Sequence, residues 1–267
     1  MNITGWSNVH GRPGTSSNLS AIAIYSTLKY GMKNLITQSN FAMNDLEAPL
    51  LGNIIRENDY FQDIGIDALA RSIKSAPLTE EAFYLASLSL LNKKLSLIPG
   101  TTKSNLQYFE SDMEKVMVNI IKTAEKYYDL VYIDTNSGKN GLSMKILEKS
   151  DLIIVNLSQN RRIIDNFFDE YNFDPNKVFY LVGNYDSRRK SNIMNLRRQY
   201  RFMNSNNSAV IPYCAEFADA ISEGNVIEFM KRNIDAKKDD KNYYFMECLA
   251  QATRKILKKA GWKGESA

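Results

Sequence analysis

The chain holds one histidine, His10, and two cysteines, Cys214 and Cys248, in 267 residues. A Ser-His-Asp or Cys-His pair therefore has a single position at which it can be built, which removes most hydrolase classes. The cysteines lie far apart, with no Cys-x-x-Cys or Cys/His ligand spacing, which argues against a structural zinc site and for a reduced, cytoplasmic setting. No apolar run approaches the ~18 residues of a membrane span, and the N-terminus lacks the basic-then-apolar pattern of a signal peptide. Internal repeats, low-complexity tracts and long Pro/Gly linkers are missing too, so one domain over 1–267 is expected. Charge of one sign is not in excess: 34 basic residues face 30 acidic ones, a net +4. That imbalance is too mild to establish nucleic-acid binding without a localised patch.

What is present is an alternation of short apolar runs and longer stretches of helical period, the pattern of parallel strands joined by crossover helices. Strands are predicted near 2–9, 33–38, 94–98, 129–134, 151–156, 177–183 and 208–211. Helices are predicted at 16–30, 65–75, 110–127, 140–149, 161–170, 190–203, 215–221 and 241–259. Runs such as Leu152-Ile153-Ile154-Val155 and Val178-Phe179-Tyr180-Leu181-Val182 do not alternate with polar residues. Such strands are covered on both faces. The expected class is α/β, a mostly parallel central sheet with helices on both faces.

Ligands of open α/β sheets bind at the carboxyl ends of the strands, so the segment after the first strand is the place to seek a phosphate site. It reads His10-Gly11-Arg12-Pro13-Gly14-Thr15-Ser16-Ser17-Asn18. Glycines let backbone amides approach an anion, and a following helix N-terminus adds free N–H groups and positive potential. A glycine-bearing turn is also a common strand-to-helix connection with no ligand, and both readings stand on the loop alone.

The loop resembles the deviant Walker A loop of the ParA/MinD family, Lys-Gly-Gly-Val-Gly-Lys-Thr-Thr, and Ile3–Val9 resembles the strand before it. Gly11, Gly14, Ser16 and Ser17 match. His10 stands at the signature lysine, Arg12 and Pro13 replace Gly-Val, and Thr15 stands at the phosphate-binding lysine. Gln38 and Asn40 occupy the places of two family carboxylates, and an amide is neither a general base nor a hard anionic ligand. Tyr128–Asp134 followed by Thr135-Asn136-Ser137-Gly138 is similar to the Walker B strand and switch II. Leu181-Val182-Gly183-Asn184 and Val210-Ile211-Pro212 resemble the strands that flank the base.

The resemblance implies a P-loop NTPase fold of the SIMIBI type. It implies ATP held by residues 10–17 with Asn184 and Pro212 beside the base, and Mg2+ near Ser16 and Asp134. With two lysines and two carboxylates replaced, little or no hydrolysis is expected, since each lost preorganised donor costs on the order of 10²–10³ in rate. Within the family the pattern looks most like TadZ or CpaE-type proteins, which position a pilus or secretion apparatus, acting as a homodimer with a protein partner. Two alternatives follow: a working partition-type ATPase that binds DNA non-specifically through Arg161-Arg162, Arg188-Arg189-Lys190 and Arg197-Arg198 with Arg201, or a nucleotide-free interaction module. A basic amphipathic helix at about 241–260 either packs on the sheet or makes peripheral membrane contact, as MinD does.

Overall fold

The structure, a computed structural model, describes residues 1–41, 46–52, 64–101, 103 and 105–263. Its centre is an eight-stranded sheet: β1 (Asn2–Trp6), β2 (Asn34–Gln38), β3 (Leu88–Leu90), β4 (Leu95–Ile98), β5 (Leu130–Asp134), β6 (Leu152–Leu157), β7 (Val178–Tyr185) and β8 (Ser208–Pro212). The spatial order is β3-β4-β2-β5-β1-β6-β7-β8, and every pairing except β3 with β4 is parallel. β1 thus lies inside the sheet, between β5 and β6.

Alternate residues of each inner strand feed opposite cores. Ile36, Leu130, Tyr132, Leu152, Ile154, Phe179 and Leu181 join one cluster with residues of α1 (Thr15–Tyr30), α10 (Val226–Asn233) and α11 (Tyr243–Lys259). Leu35, Val131 and Ile133 join a second with α3 (Ile66–Ser75), α4 (Glu80–Ala86), α5 (Leu106–Ala124) and α6 (Gly141–Lys149). Ile153, Val155, Val178 and Val182 pack with α7 (Arg161–Glu170) and α8 (Ile193–Gln199) in a third. Helices on both faces explain why these strands read as unbroken apolar runs. α2 (Glu47–Leu51) and α9 (Ala215–Glu223) complete the set.

The seven long apolar runs form strands where they were predicted. β3, α2, α4 and α10 are additions, and α8 is shorter than the predicted 190–203. The apolar face of α11 (Phe245, Leu249, Ala252, Ile256 and Leu257) is buried against the core shared with β8 and α1, and Trp262 packs on the Tyr30 ring at 4.7 Å. The amphipathic face is therefore used inside the fold. Among the described residues no helix is long and apolar enough to cross a membrane.

Candidate nucleotide site

β1 ends at Trp6, and the chain bends through residues 7–13 before α1 begins at Thr15. Gly11 and Gly14 both take positive φ, 73° and 69°, a region that favours glycine, and Gly14 stands at the helix N-cap. The curled segment encloses a cleft of about 340 Å³ lined by His10, Gly11, Gly14, Thr15, Ser16 and Ser17 on one side. Asn40, Asp134, Thr135, Asn136 and Ser137 line the other. The cleft thus opens over the carboxyl ends of β1, β5 and β2, where the loop rule places a ligand.

Asp134 ends β5 and stands level with Gly5 of β1 and Gln38 of β2, almost fully buried. The turn after it is tied to the loop: Gly138 N donates to the Ser7 carbonyl at 2.9 Å, and Trp6 Nε1 donates to the Gly138 carbonyl at 3.2 Å. Thr135 Oγ1 donates to the Gly5 carbonyl. The two walls of the cleft are therefore one hydrogen-bonded unit.

Asparagines hold the outer side of the loop. Asn8 Nδ2 donates to the Ile163 carbonyl and to Asn166 Oδ1 on α7. Asn18 Nδ2 donates to the Pro13 carbonyl and to Asn156 Oδ1, both at 3.0 Å. Asn184 Nδ2 donates to the Arg12 carbonyl at 3.2 Å. Gly183 lies so close to the loop that a Cβ there would meet the Pro13 oxygen at 1.9 Å.

Gln38 and Asn40 part company. Asn40 lines the cleft, whereas Gln38 is buried and gives its amide to Glu47 Oε2 at 2.6 Å. Glu47 Oε1 accepts from Gly100 N at 2.5 Å, so one buried carboxylate joins α2, the end of β2 and the exit of β4. Sequence reasoning passed over Glu47, because a lone glutamate nine residues beyond Gln38 has no motif around it. Pro212 lies apart from the cleft, in a separate recess with Tyr213, Cys214 and Tyr244, and Asn184 faces the back of the loop.

The comparisons bear on this architecture. A ParA family ATPase from Chlorobium tepidum superposes with a TM-score of 0.68 at 13% identity, over 97% of this chain and 98% of that one. A putative plasmid partition protein from Borrelia burgdorferi, bound to AMPPNP, superposes at 0.66 with 18% identity, over 97% and 98%. The septum site-determining protein MinD of Pyrococcus horikoshii, complexed with Mg-ADP, superposes at 0.67 with 16% identity, over 100% of both chains. The fold is that of the ParA and MinD ATPases. No protein-family model and no curated protein matches the sequence. At these identities the fold is what is shared.

Within that ParA/MinD fold the residues of the cleft suit a magnesium polyphosphate in shape. Open space surrounds the Cα of Gly11, and Ser16 faces the same cleft as the buried Asp134. Mg2+ is commonly held by one or two protein oxygens together with phosphate and water, so this pair is a sufficient donor set. The charge is different. Among the described lining residues His10 and Asp134 are the only titratable groups and no lysine or arginine occurs, and Arg12 is exposed outside the lining.

Cations gather elsewhere. Arg197 Nε donates to Ser208 Oγ at 2.9 Å and its Nη2 to the Ser208 carbonyl at 3.0 Å, and Lys255 Nζ reaches the same carbonyl at 3.4 Å. Neither makes a salt bridge among the described residues. Burial, and for Lys255 the nearby Arg197 charge, pull both below their ordinary pKa. Of the other predicted basic residues, Arg161 pairs with Asp165 and Arg188 with Asp186.

Proposed function

We propose that this protein binds an adenine nucleotide with Mg2+ in the cleft between residues 10–17 and 134–137 and uses it to hold a conformation or an assembly, with little or no hydrolysis. The observation that carries the reading is the loop itself: a glycine-bent segment capping α1 faces a buried Asp134 across a cleft, with no lysine or arginine among the described lining residues. Backbone amides and a helix N-terminus bind phosphate oxygens. Phosphoryl transfer additionally needs positive charge on the transferring group, which no lysine or arginine among the described lining residues supplies.

When bound, the metal would offset the negative charge of the phosphates. Ser16 and Asp134 are the residues that would hold it, Gly11, Gly14 and Thr15 would meet the phosphates through their amides, and Asn40 would order water at the mouth. Asp134 marks the metal and is no base for water, because its position at the strand end fits a cation at the phosphates. A homodimer that positions a pilus or secretion apparatus through a protein partner is the cellular role in keeping with the fold and with the substituted loop.

The test is a titration with magnesium ATP that follows heat of binding and phosphate release in one sample. Binding without release is expected, and Asp134→Ala should abolish the binding. Absence of heat at millimolar nucleotide would overturn the reading.

A second reading, non-specific DNA binding of the partition type, is favoured by one observation: Arg197 and Lys255 converge on one carbonyl with no carboxylate partner. Each phosphate contact contributes about 0.9 to the slope of log affinity against log salt. Replacing both by alanine should lower that slope by about 2; an unchanged slope would dispose of it.

A further inference from the structure

We infer that Asn184 is a positioning residue that clasps the phosphate-facing loop in its ligand-ready shape before any ligand arrives. The inference rests on the nucleotide reading only for what the loop then holds; the clasp itself is a property of the free protein.

Three independent features converge on it. The register of β7 against β8 slips between Val182 and Tyr185, and such irregularities re-aim side chains beside sites. Asn184 sits at φ 47°, and elsewhere among the described residues only Leu91, Asn92 and Lys93 of one hairpin turn take positive φ without being glycine. Asparagine tolerates that region better than other non-glycine residues, and a side chain held there at a cost points to a task. Gly183, immediately before it, is the one residue type that lets the Pro13 carbonyl approach β7 so closely.

The consequence for the loop follows from peptide planarity. In a trans peptide the carbonyl and the following N–H point in opposite directions, and no cis bond occurs among the described residues. The Pro13 oxygen is held toward β7 by Asn18 and by the missing Cβ of Gly183, so the Gly14 N–H points away from β7. β7 lies beyond β6 from β1, and the cleft lies on the β5 side, so Gly14 N–H is aimed at the cleft it lines. Asn184 fixes the preceding carbonyl, that of Arg12, in the same sense. The next nitrogen is that of Pro13, which has no hydrogen. Asn18 and Gly183 thus orient one donor toward the cleft, and Asn184 steadies the peptide before it without turning another donor away; neutral amides do this where the loop has no lysine.

The test uses the full chain without nucleotide. Backbone order parameters for Gly11, Gly14 and Thr15 should lie near the rigid value of about 0.85 in the wild type and fall below about 0.6 in Asn184→Gly. Glycine also removes the left-handed strain, so the melting temperature should hold or rise while the loop loosens, a pair of signs that a merely structural role does not produce. Asn184→Ala should loosen the loop as well. Magnesium ATPγS should then bind about five- to tenfold more weakly, the equivalent of one hydrogen bond no longer made in advance. A loop already mobile in the wild type, or one equally rigid in both variants, would overturn the clasp. If the wild type is rigid and the variants loose but no nucleotide binds, the clasp stands and the nucleotide reading falls.

Discussion

The cleft over β1 and the edge beyond β8 divide between them what a phosphate-handling site combines. The cleft has shape: a bent loop, a helix N-terminus and a buried carboxylate, with no lysine or arginine in its lining. The edge has charge: Arg197 and Lys255 share the Ser208 carbonyl and make no salt bridge among the described residues. An arginine and a lysine held together cost electrostatic free energy through their mutual repulsion, whereas the buried carboxylate of the cleft carries a desolvation cost that a bound cation would offset. The comparison teaches that in this protein a loop of phosphate-binding shape and a cluster of cations lie in different places, and that amide side chains supply the hydrogen bonds to the Arg12 and Pro13 carbonyls of the loop.

The comparison breaks most severely if the geometry is spoiled. Gly183→Ala places a methyl carbon on the Pro13 oxygen, and β7 and the loop cannot both keep their places. A loss of about 3 kcal/mol in urea unfolding is expected, together with loss of nucleotide binding. Glu47→Ala tests the other flank. It leaves Gly100 N–H and the Gln38 amide buried without their acceptor, and about 2 kcal/mol should be lost by the same measurement.

Supplying the missing charge should sharpen the contrast. Thr15→Lys puts an ammonium into the cleft lining, and calorimetry should find magnesium ATP bound about tenfold more tightly, the worth of one charge-assisted hydrogen bond. Fold stability should change little. Unchanged affinity would mean that the cleft does not present phosphate to position 15.

The smallest effect concerns a surface pair of the ordinary kind. The Arg188 guanidinium holds the Asp186 carboxyl down at about 2. A depressed carboxyl contributes stability that is present above the ordinary aspartate value of about 3.9 and is lost as pH falls through the folded value. Arg188→Ala should therefore raise the Asp186 midpoint in an NMR titration. Because the pair is exposed, neutral-pH stability should not move measurably.

Much of this architecture was legible because it rests on long apolar runs. β5 and β6 read as buried strands, since each residue of Leu130–Ile133 and Leu152–Val155 meets a core on one face or the other. β3 was not legible: it has three residues, an exposed Ser89, and a turn in which Leu91, Asn92 and Lys93 all take positive φ without a glycine to announce it. α2, α4 and α10 have five, seven and eight residues, too few for a helical period to stand out. At the site, His10 to Ser17 and Asp134 were placed by the resemblance to the ParA/MinD motifs, and the cleft is lined by all of these except Arg12 and Pro13. Gln38, Asn184 and Glu47 were harder to place, because their orientation depends on partners far away in the chain. Asn184 meets a carbonyl 172 positions earlier, and Glu47 an amide 53 positions later.

The single histidine has a use of its own. His10 lines the cleft, and it is the only imidazole in the chain. A histidine-selective isotope label therefore gives a spectrum with one residue in it, so a ligand entering the cleft is observable without resonance assignment or a fluorescent tag. The molecule carries its own probe at the position where the question about it is asked.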